Sequence, residues 1–411
     1  MPEVPKRNTS RRQPAYRVSV SAPVALVLLF LLLVLVASMA LDVPSNLWSQ
    51  PGLSELRSEV MAALGLPTPP GPSTAAPLPT PSSPAGGLQA PSVGTWYQVY
   101  FTDPKYPDKP NERGEGIDRH LVALINQARH TVDVAAYELD LETVAQALLQ
   151  AKQRGVAVRL VTDTDNLEEK VIQQLKQSGI PVVDDKRGAI MHNKFIVIDR
   201  RYVWTGSWNL TVNCTYRNNN NAIWIDSEAL ARTYSDKFSQ MFDNRRFGPS
   251  RPPTAQTQLT IAGTRIENYF SAEDRISERL APLLRSAQKS IRFLAFSFTD
   301  DTLGQILIER AKAGVSVSGV MEQRGADTEH SEYATLRKAG IDVLLDGNPY
   351  VMHHKIFVID ESIVVLGSYN FSANADKDND ENILFIYNRD IARQYLDEFE
   401  RVRKRAAEAK S

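Results

Sequence analysis

The sequence predicts an α/β fold made of two similar half-domains that are related by a pseudo-two-fold axis, with a functional site at their interface. A pattern of six chemically distinctive positions occurs twice with identical spacing, at residues 191–209 and 352–370. Around each copy, short apolar strands alternate with helical segments, which is typical of α/β units with covered parallel strands. The first 95 residues have a different composition and are predicted to lie outside this fold.

The N-terminal region predicts a membrane anchor. Residues 1–21 form a polar, basic tail, and residues 22–41 are apolar and uncharged. About 20 such residues can cross the hydrocarbon layer as a helix, and the basic flank predicts a cytoplasmic N-terminus with the remainder outside the cell membrane. The alternative is a cleaved signal peptide, with small residues at 37–40 as the cleavage site and a secreted product. A signal sequence usually has only about 7–15 apolar residues, so the length of the run favours the anchor.

The rest of the chain divides into a linker and two repeats. Residues 42–95 are rich in proline and are predicted to be a disordered spacer. The first half-domain covers residues 96–250 and the second covers 264–411, with a connection at 251–263 between them. Each half contains matching helices and buried strands in the same order. The paired segments are helices at 117–128 and 276–287, strands at 131–138 and 290–298, and strands at 156–162 and 315–321.

The repeated pattern places polar groups at one end of a buried strand. Side chains alternate along a strand, so His192 and Lys194 share a face, and the apolar run that follows them continues as a buried strand. Small residues near the end of the pattern allow the backbone to come close to a ligand. The two copies consist of His192, Lys194, Asp199, Gly206, Ser207 and Asn209, and of His353, Lys355, Asp360, Gly367, Ser368 and Asn370.

At these residues the chain resembles the phospholipase D superfamily, whose signature is this duplicated motif, and the resemblance extends from Trp96 to near the C-terminus. It implies a phosphodiesterase that works without a metal or other cofactor, and the substrate predicted for it is the head-group phosphodiester of a phospholipid. One histidine attacks phosphorus to give a phosphohistidine, while the other protonates the departing alcohol and then activates water. The alternative is a metal-independent endonuclease of the same superfamily. A non-catalytic scaffold is less expected, because both copies keep every motif residue.

The resemblance also implies a role for each remaining pair of motif residues. These roles are neutralisation of the phosphoryl oxygens by Lys194 and Lys355, amide donation to the same group by Asn209 and Asn370, pocket lining by Ser207 and Ser368, and support of the catalytic motif's geometry by Asp199 and Asp360.

One position distinguishes the two halves. Eleven residues after the last asparagine of each copy, the first half has Asn220 and the second has Glu381. The family places a carboxylate or an amide here to brace a catalytic histidine, typically the one in the opposite half. If the bracing is crossed, Glu381 supports His192 as the nucleophile and Asn220 supports His353 as the acid. If each brace acts within its own half, the two roles are exchanged, and the sequence leaves both arrangements open.

Charge and aromatic residues bear on the substrate. The formal charge is −1, and residues 1–95 contribute +2, which leaves −3 for the remainder. That region lacks the broad basic surface of a duplex-DNA binder. Trp208 and Tyr369 could line the substrate entrance, which favours lipid, and His354 is expected to be structural. The sequence has no Cys/His cluster of the kind that binds zinc, and it predicts no obligate protein partner. The residues that could still form a basic track for nucleic acid are Arg200, Arg201, Arg217, Arg245 and Arg246.

Overall fold

Each half-domain forms one mixed sheet in the computed structural model, which describes residues 95–409 apart from 251–253, 255, 327 and 329. The strands of the first half are β1 (Tyr97–Phe101), β2 (Thr131–Ala136), β3 (Ala157–Thr162), β4 (Val182–Asp184), β5 (Lys194–Ile198), β6 (Tyr202–Gly206), β7 (Asn218–Asn219) and β8 (Asn221–Asp226). Those of the second half are β9 (Gln258–Ile261), β10 (Thr264–Ser271), β11 (Ser290–Ala295), β12 (Ser316–Met321), β13 (Asp342–Leu345), β14 (Val351–Met352), β15 (Lys355–Ile359), β16 (Ile363–Gly367) and β17 (Glu381–Tyr387).

Helices connect and cover the strands. In the first half they are α1 (Asp118–Gln127), α2 (Glu142–Gln153), α3 (Lys170–Gln177), α4 (Val212–Tyr216) and α5 (Glu228–Phe242). In the second half they are α6 (Ile276–Arg285), α7 (Asp301–Lys312), α8 (Gln323–Ala326), α9 (Glu332–Lys338), α10 (Ala373–Lys377) and α11 (Arg389–Glu408). Short 3₁₀ turns occur at Pro110–Glu112, Thr164–Asn166 and Gly248–Ser250.

The predicted basic tail, the membrane anchor and almost all of the linker lie outside the described residues. None of the helices in the part of the chain that the structure describes is long and apolar enough to cross a membrane.

The two sheets have the same strand order, which confirms the predicted pair of α/β halves. The first runs β1-β8-β6-β5-β2-β3-β4, and the second runs β10-β17-β16-β15-β11-β12-β13, with β9 added beside β10. Only the β2-β3-β4 and β11-β12-β13 portions are parallel, so the prediction of covered parallel strands holds for just part of each sheet. The reason is the connection: helices join the parallel strands, whereas a tight turn joins β5 to β6 and forces an antiparallel pair.

That tight turn explains the motif aspartates. Asp199 has a φ of 52° and the next residue a φ of 51°, which is the left-handed pair of a type I′ hairpin turn. The Asp199 carboxylate accepts hydrogen bonds of 2.7–3.2 Å from three successive backbone amides, at residues 129–131. Asp360 accepts equivalent bonds of 2.7–3.1 Å at residues 288–290.

Both aspartates therefore tie the hairpin turn to the start of the neighbouring parallel strand. The turn lies at the far end of a five-residue strand from Lys194, roughly 16 Å away at the usual rise per residue. These contacts support the geometry of the motif, which is the role that the resemblance implied for both aspartates.

Alternation along β5 and β15 divides the interior into layers. Phe195 and Val197 point into a central core that both halves share, where α5 and α11 pack, while Ile196 and Ile198 point into an outer core beneath α1, α2 and α3. The second half has its own outer core beneath α6, α7 and α9. Burial of each such side chain contributes about 1.5–3 kcal/mol. The shared core fixes the two halves against each other and so fixes the cleft between them.

Candidate active site

The segments before the two motif histidines pair with the opposite half. β14 lies parallel to β7, and Met191 forms the equivalent bridge with Asp380. The backbone amide of His353 donates to the carbonyl of the last residue of β7, and that of His192 donates to the carbonyl of Asp380, each over 2.9 Å. This reciprocal exchange is what a pseudo-two-fold relation requires. It places both histidines at the interface of the two halves.

The braces are crossed in the same way. His192 Nδ1 lies 2.8 and 2.9 Å from the two carboxylate oxygens of Glu381. His353 Nδ1 lies 2.9 Å from the amide oxygen of Asn220. Of the two arrangements that the sequence leaves open, the structure has the one in which each histidine is oriented by the other half.

Hydrogen bonds fix the orientation of the Asn220 amide. Its Nδ2 donates to the Cys214 carbonyl over 3.0 Å, and its Oδ1 accepts from the Ser207 hydroxyl over 2.9 Å. The oxygen therefore faces His353, so the His353 Nδ1 carries a proton and donates it. This leaves Nε2 of His353 as the nitrogen available to substrate.

The motif serines act behind the braces. Ser368 Oγ donates to Glu381 over 2.6 Å, just as Ser207 donates to Asn220, and both serines are fully buried. Their predicted role of lining the pocket is therefore wrong. The preceding glycine explains why they lie so deep, because a Cβ at Gly206 would stand 2.3 Å from the carbonyl oxygen of Asn221. The close backbone approach turns the next side chain inward toward the brace.

Two lysines form the electropositive floor of the site. Lys194 and Lys355 are 5% and 1% exposed, and each Nζ donates to the carbonyl of the histidine two residues earlier over 3.0 Å. Burial lowers the pKa of Lys194 to about 8. Burial and then the charge of Lys194 lower the pKa of Lys355 well below its usual range. Two ammonium groups buried in one site repel each other, so they are costly unless an anion such as a phosphoryl group binds between them.

The same groups set the protonation of the histidines. Burial, followed by the charges of Lys194 and Lys355, lowers the pKa of His192 well below its usual value, and similar causes lower that of His353. Burial raises the pKa of Glu381, whereas both lysines and the hydrogen bond from Ser368 oppose that rise and favour the charged carboxylate. We assign neutral His192 with Nδ1–H donating to the Glu381 carboxylate, because the tautomer leaves the Nε2 lone pair free.

A family profile described as "Cardiolipin synthase, PLD-like domain" matches residues 121–242 and 280–403, which together make up more than half of the chain. The chain belongs to this phospholipase D-like family. Both matched segments contain one histidine, one lysine and one brace of the site.

Several curated proteins are similar to parts of the chain. A protein of Rickettsia felis named "Phospholipase D" is 28% identical over 162 residues, which are 39% of this chain and 81% of that protein. Its namesake from Rickettsia prowazekii is 37% identical over 121 residues, 29% of this chain and 59% of that protein. The human "Mitochondrial cardiolipin hydrolase" is 34% identical over 124 residues, 30% of this chain and 49% of that protein. The phospholipase D-like domain and these relatives indicate an enzyme, a phosphodiesterase.

Among solved structures, phosphatidylserine synthase of Haemophilus influenzae has a similar fold. Its TM-score is 0.55 at 13% identity, and the match covers 75% of this chain and 86% of the synthase. At that identity the likeness concerns the fold alone. It extends across both halves, in agreement with the matched strand orders.

Sequence reasoning missed the aromatic residues that cover the lysines of this phospholipase D-like site. The Tyr137 ring lies 5.0 Å from the His192 ring and 5.2 Å from Lys194 Nζ. The Phe296 ring lies 4.8 Å from both the His353 ring and Lys355 Nζ. Each follows directly after a central parallel strand, at the same position of the repeat. An aromatic residue at that position in both halves was the available signal.

A second missed residue is Glu138. Its Oε2 accepts a 2.8 Å hydrogen bond from the Asn209 amide, and the position equivalent to Glu138 in the second half is Ser297. The amide oxygens of Asn209 and Asn370 are buried and have no hydrogen-bond partner within the described residues. Burial raises the pKa of Glu138, which Lys194 opposes. The two halves of the cleft therefore differ in charge beside their asparagines.

The histidines open into a cleft of about 660 Å³ between the halves. Apart from the motif histidines and asparagines, the side chains that matter to its chemistry are those of Glu138, Phe296, Glu322 and Arg324. None of the arginines that were considered for a basic track lines it. Arg200 and Arg201 lie at the β5–β6 turn, and Arg201 pairs with an aspartate of β8.

The remaining arginines of that hypothesis also lie elsewhere. Arg217 pairs with Asp108, and Arg245 donates to the carbonyl of Phe242. Arg246 likewise lies outside the side chains that line the cleft. A basic track of these five residues through the site is therefore not formed.

The two aromatic residues expected at the entrance are also elsewhere. Trp208 belongs to the outer core of the first half and donates from its indole nitrogen to Thr215 over 3.1 Å. Tyr369 is fully buried in the outer core of the second half, and its hydroxyl donates to Asp376 over 3.1 Å. Their expected role in substrate entry is wrong, because the chain turns outward after the Gly-Ser step and buries the next side chain.

The pKa of Lys194 gives an expected pH dependence. A pKa lowered to about 8 means that Lys194 is charged below that pH and loses its charge as the pH rises through it. We expect kcat/KM to fall above about pH 8, because this parameter reports ionisations of the free enzyme. A pH–rate profile measures the fall. A Lys194→Arg variant that retains activity should keep its charge at this position and show a smaller fall, since Lys355, whose pKa is also lowered, still titrates. A wild-type profile that is flat to pH 10 would contradict the assignment.

Proposed function

We propose that the protein hydrolyses a phospholipid head-group phosphodiester through a phosphohistidine on His192, without a metal ion. The observation that carries the proposal is the crossed bracing. A carboxylate holds His192 and an amide holds His353, and both histidines line one cleft. A buried lysine lies two residues after each histidine and bonds to its carbonyl. A carboxylate stabilises the positive charge that a histidine gains when it attacks phosphorus, and an amide only orients the ring.

In the first step, the His192 Nε2 lone pair forms a bond to phosphorus as the bond to the leaving alkoxide breaks. His353, as an imidazolium, transfers its Nε2 proton to that alkoxide. The lysines neutralise the phosphoryl oxygens, and charge so placed in a buried site is among the largest contributions to catalysis. The anionic substrate itself favours protonation of His353, because it offsets the lysine charges that lower its pKa.

In the second step, neutral His353 removes a proton from water as the water oxygen bonds to phosphorus. The bond between His192 and phosphorus breaks, and the electron pair returns to Nε2. The product is a phosphomonoester, and His353 regains the proton that it gave up. The cycle balances with one water consumed and no other reactant.

Charge in the cleft favours lipid over nucleic acid. Glu138 and Glu322 line the cleft on opposite halves, and Arg324 is the one arginine among the described lining residues. A nucleic acid strand carries a charge about every 3.4 Å along a duplex, so phosphates next to the reacting one would meet these carboxylates. A phospholipid with a neutral or cationic head group brings one phosphodiester. The names of the relatives, "Phospholipase D" and "Mitochondrial cardiolipin hydrolase", point in the same direction.

The proposed reaction uses no metal ion. No group of three or more His, Cys, Asp or Glu side chains within the described parts of residues 95–409 could hold a metal ion. The protein is thus proposed to neutralise the phosphoryl group with Lys194 and Lys355 alone.

The apolar run at residues 22–41 supports a membrane location for this activity. We propose a single-pass anchor with the catalytic region outside the cell membrane, and the linker as a spacer that lets it reach lipid. Protease treatment of intact cells tests this, because cleavage in the exposed linker should release the catalytic region. A mature N-terminus near residue 41 would instead show a cleaved signal peptide and a secreted enzyme.

The function is tested with the purified full chain in the presence of EDTA. Phosphatidylcholine vesicles, cardiolipin vesicles and single-stranded DNA serve as substrates, and a His192→Asn variant serves as the inactive control. We expect EDTA-resistant release of a head group from lipid and at least ten-fold slower DNA cleavage. Cleavage of DNA without lipid turnover would establish the endonuclease alternative. Loss of activity in EDTA would overturn the metal-free mechanism, and no turnover of any phosphodiester would leave a scaffold.

A further inference from the structure

A buried carboxylate holds the residue before each motif histidine. Asp163 Oδ2 accepts a 2.7 Å hydrogen bond from the backbone amide of Met191, and Glu322 Oε2 accepts one of 2.7 Å from that of Met352. The two carboxylates are 1% and 3% exposed. The proposed reaction gives neither carboxylate a part in positioning the histidines, although each bonds to the residue before a catalytic histidine.

The two carboxylates occupy the same place in the repeat. Asp163 directly follows β3 and Glu322 directly follows β12, the equivalent parallel strand. The other oxygen of each carboxylate accepts from the backbone amide two residues later in the chain. Asp163 accepts from Asp165 over 2.9 Å, and Glu322 accepts from Arg324 over 3.3 Å. Each carboxylate therefore bridges a rigid strand end to the histidine segment of its own half. This holds even though the two side chains differ in length.

Each histidine segment is consequently held from both sides. The amide of the preceding methionine bonds to a carboxylate of its own half, while the histidine's own amide bonds to a carbonyl of the opposite half. Without the carboxylate, one buried amide would lack a partner, and the segment would be held only across the interface. A displacement of about 0.5 Å is enough to misplace a catalytic group.

We propose that Asp163 and Glu322 are positioning residues, Asp163 for His192 and Glu322 for His353, each acting through the amide of the methionine before its histidine. The inference rests on the proposed two-step reaction and assigns to it two residues outside the duplicated motif. The single oxygen of an Asn or Gln amide can still accept from the methionine amide, although the bond to the second backbone amide is lost, so these variants keep the proposed function where Ala removes it. Burial raises the pKa of Asp163 to about 6, and a protonated carboxyl group also keeps an acceptor oxygen.

The two positions should respond differently to the leaving group. A p-nitrophenolate leaves without a proton, whereas an alkoxide such as choline needs one from His353. The experiment compares the full-length Asp163→Ala, Asp163→Asn, Glu322→Ala and Glu322→Gln variants on p-nitrophenyl and choline phosphodiesters of the same lipid. The first turnover is followed in the pre-steady state, so that the second step does not mask the first. Thermal unfolding of every variant is recorded.

We expect Asp163→Ala to slow the first step about 10- to 100-fold with both substrates, since it displaces the nucleophile. Glu322→Ala should slow the choline ester by that amount and the p-nitrophenyl ester less than about three-fold. Asn and Gln should restore most of the rate. Ala variants that keep wild-type rates, or losses that Asn and Gln do not rescue, would overturn the proposal.

The outcomes also separate this inference from the function on which it rests. The Glu322 variant could show the rate losses expected of the Asp163 variant, and the reverse. In that case both residues still position histidines, but the nucleophile and the acid are exchanged. If the wild-type enzyme turns over neither substrate, the proposed function fails first. An Ala variant that loses both activity and melting temperature is compared with the Asn or Gln variant at the same position. If that second variant melts at the same temperature and is equally inactive, the residue supports folding alone.

Discussion

Replacement of His353 by Asn is expected to slow turnover of a choline phosphodiester by at least about 10⁴-fold and to leave a phosphoryl group on His192. The loss is large because His353 supplies the proton in the first step and removes one from water in the second, and the two contributions concern the same cycle. With a p-nitrophenyl ester the first step needs no acid, so it should proceed and then stop. Intact-mass measurement after acid-free quenching detects the added mass, and peptide mapping locates it.

His192→Asn is the matched control, because it should be equally slow and should carry no added phosphoryl group with either ester. Label on His353 in the His192→Asn variant would exchange the roles of the two histidines. Label in neither variant, with the wild type active, would rule out a phosphohistidine.

Glu398→Ala is expected to lower the free energy of unfolding by about 3–5 kcal/mol. Glu398 is 3% exposed on α11 and bonds to His354 Nε2 over 2.7 Å and to the guanidinium of Arg401 over 2.7 Å. Arg401 also donates to the Thr102 carbonyl over 2.8 Å, so the group links α11 to the start of the first half. Removal of the carboxylate leaves a buried imidazole N–H unpaired and Arg401 with only its longer, exposed ion pair to Asp103.

Urea unfolding followed by circular dichroism measures this change. Glu400→Ala, an exposed glutamate on the same helix, is the control and should change stability by less than about 0.5 kcal/mol. Burial opposes ionisation of Glu398, but its bonds to His354 and Arg401 lower its pKa overall. The stabilisation is therefore present at neutral pH and is lost as the pH falls through that lowered pKa. Equal effects at positions 398 and 400 would contradict this account.

The structure also shows why His354 is not a third catalytic histidine. Its Nδ1 accepts from the Asn221 amide over 3.0 Å while Nε2 donates to Glu398, so both ring nitrogens are engaged. Strand alternation predicts that it faces away from His353, and the structure agrees. Here the two-residue period of a strand is enough to predict the direction of the side chain, because adjacent residues of a strand face opposite layers.

Tertiary pairing explains what the sequence could not decide. Spacing alone identifies the motif, because Lys194 and Lys355 recur at the same distance from their histidines. Whether Glu381 braces His192 depends on the bridge between Met191 and Asp380, two residues 189 positions apart. No local pattern carries that information.

The misplaced aromatic residues have a similar cause. Trp208 and Tyr369 follow the small Gly-Ser step, where the strand period ends, so parity no longer indicates which layer they face. Tyr137 and Phe296 follow the ends of central strands and were treated as strand residues. In both cases the direction of a side chain just beyond a strand is set by packing of the next segment.

Crossed bracing has a consequence for symmetry. Two identical halves that exchanged braces would give each histidine the same partner, and neither would be distinguished as nucleophile or acid. Joining the halves in one chain allows one brace to be Glu381 and the other Asn220, so that an otherwise symmetric site acquires a direction. The direction decides from which side of the phosphorus the alcohol departs and water arrives. Exchange of the two residues, Asn220→Glu with Glu381→Asn, would in this view reverse that direction while leaving the same fold around it.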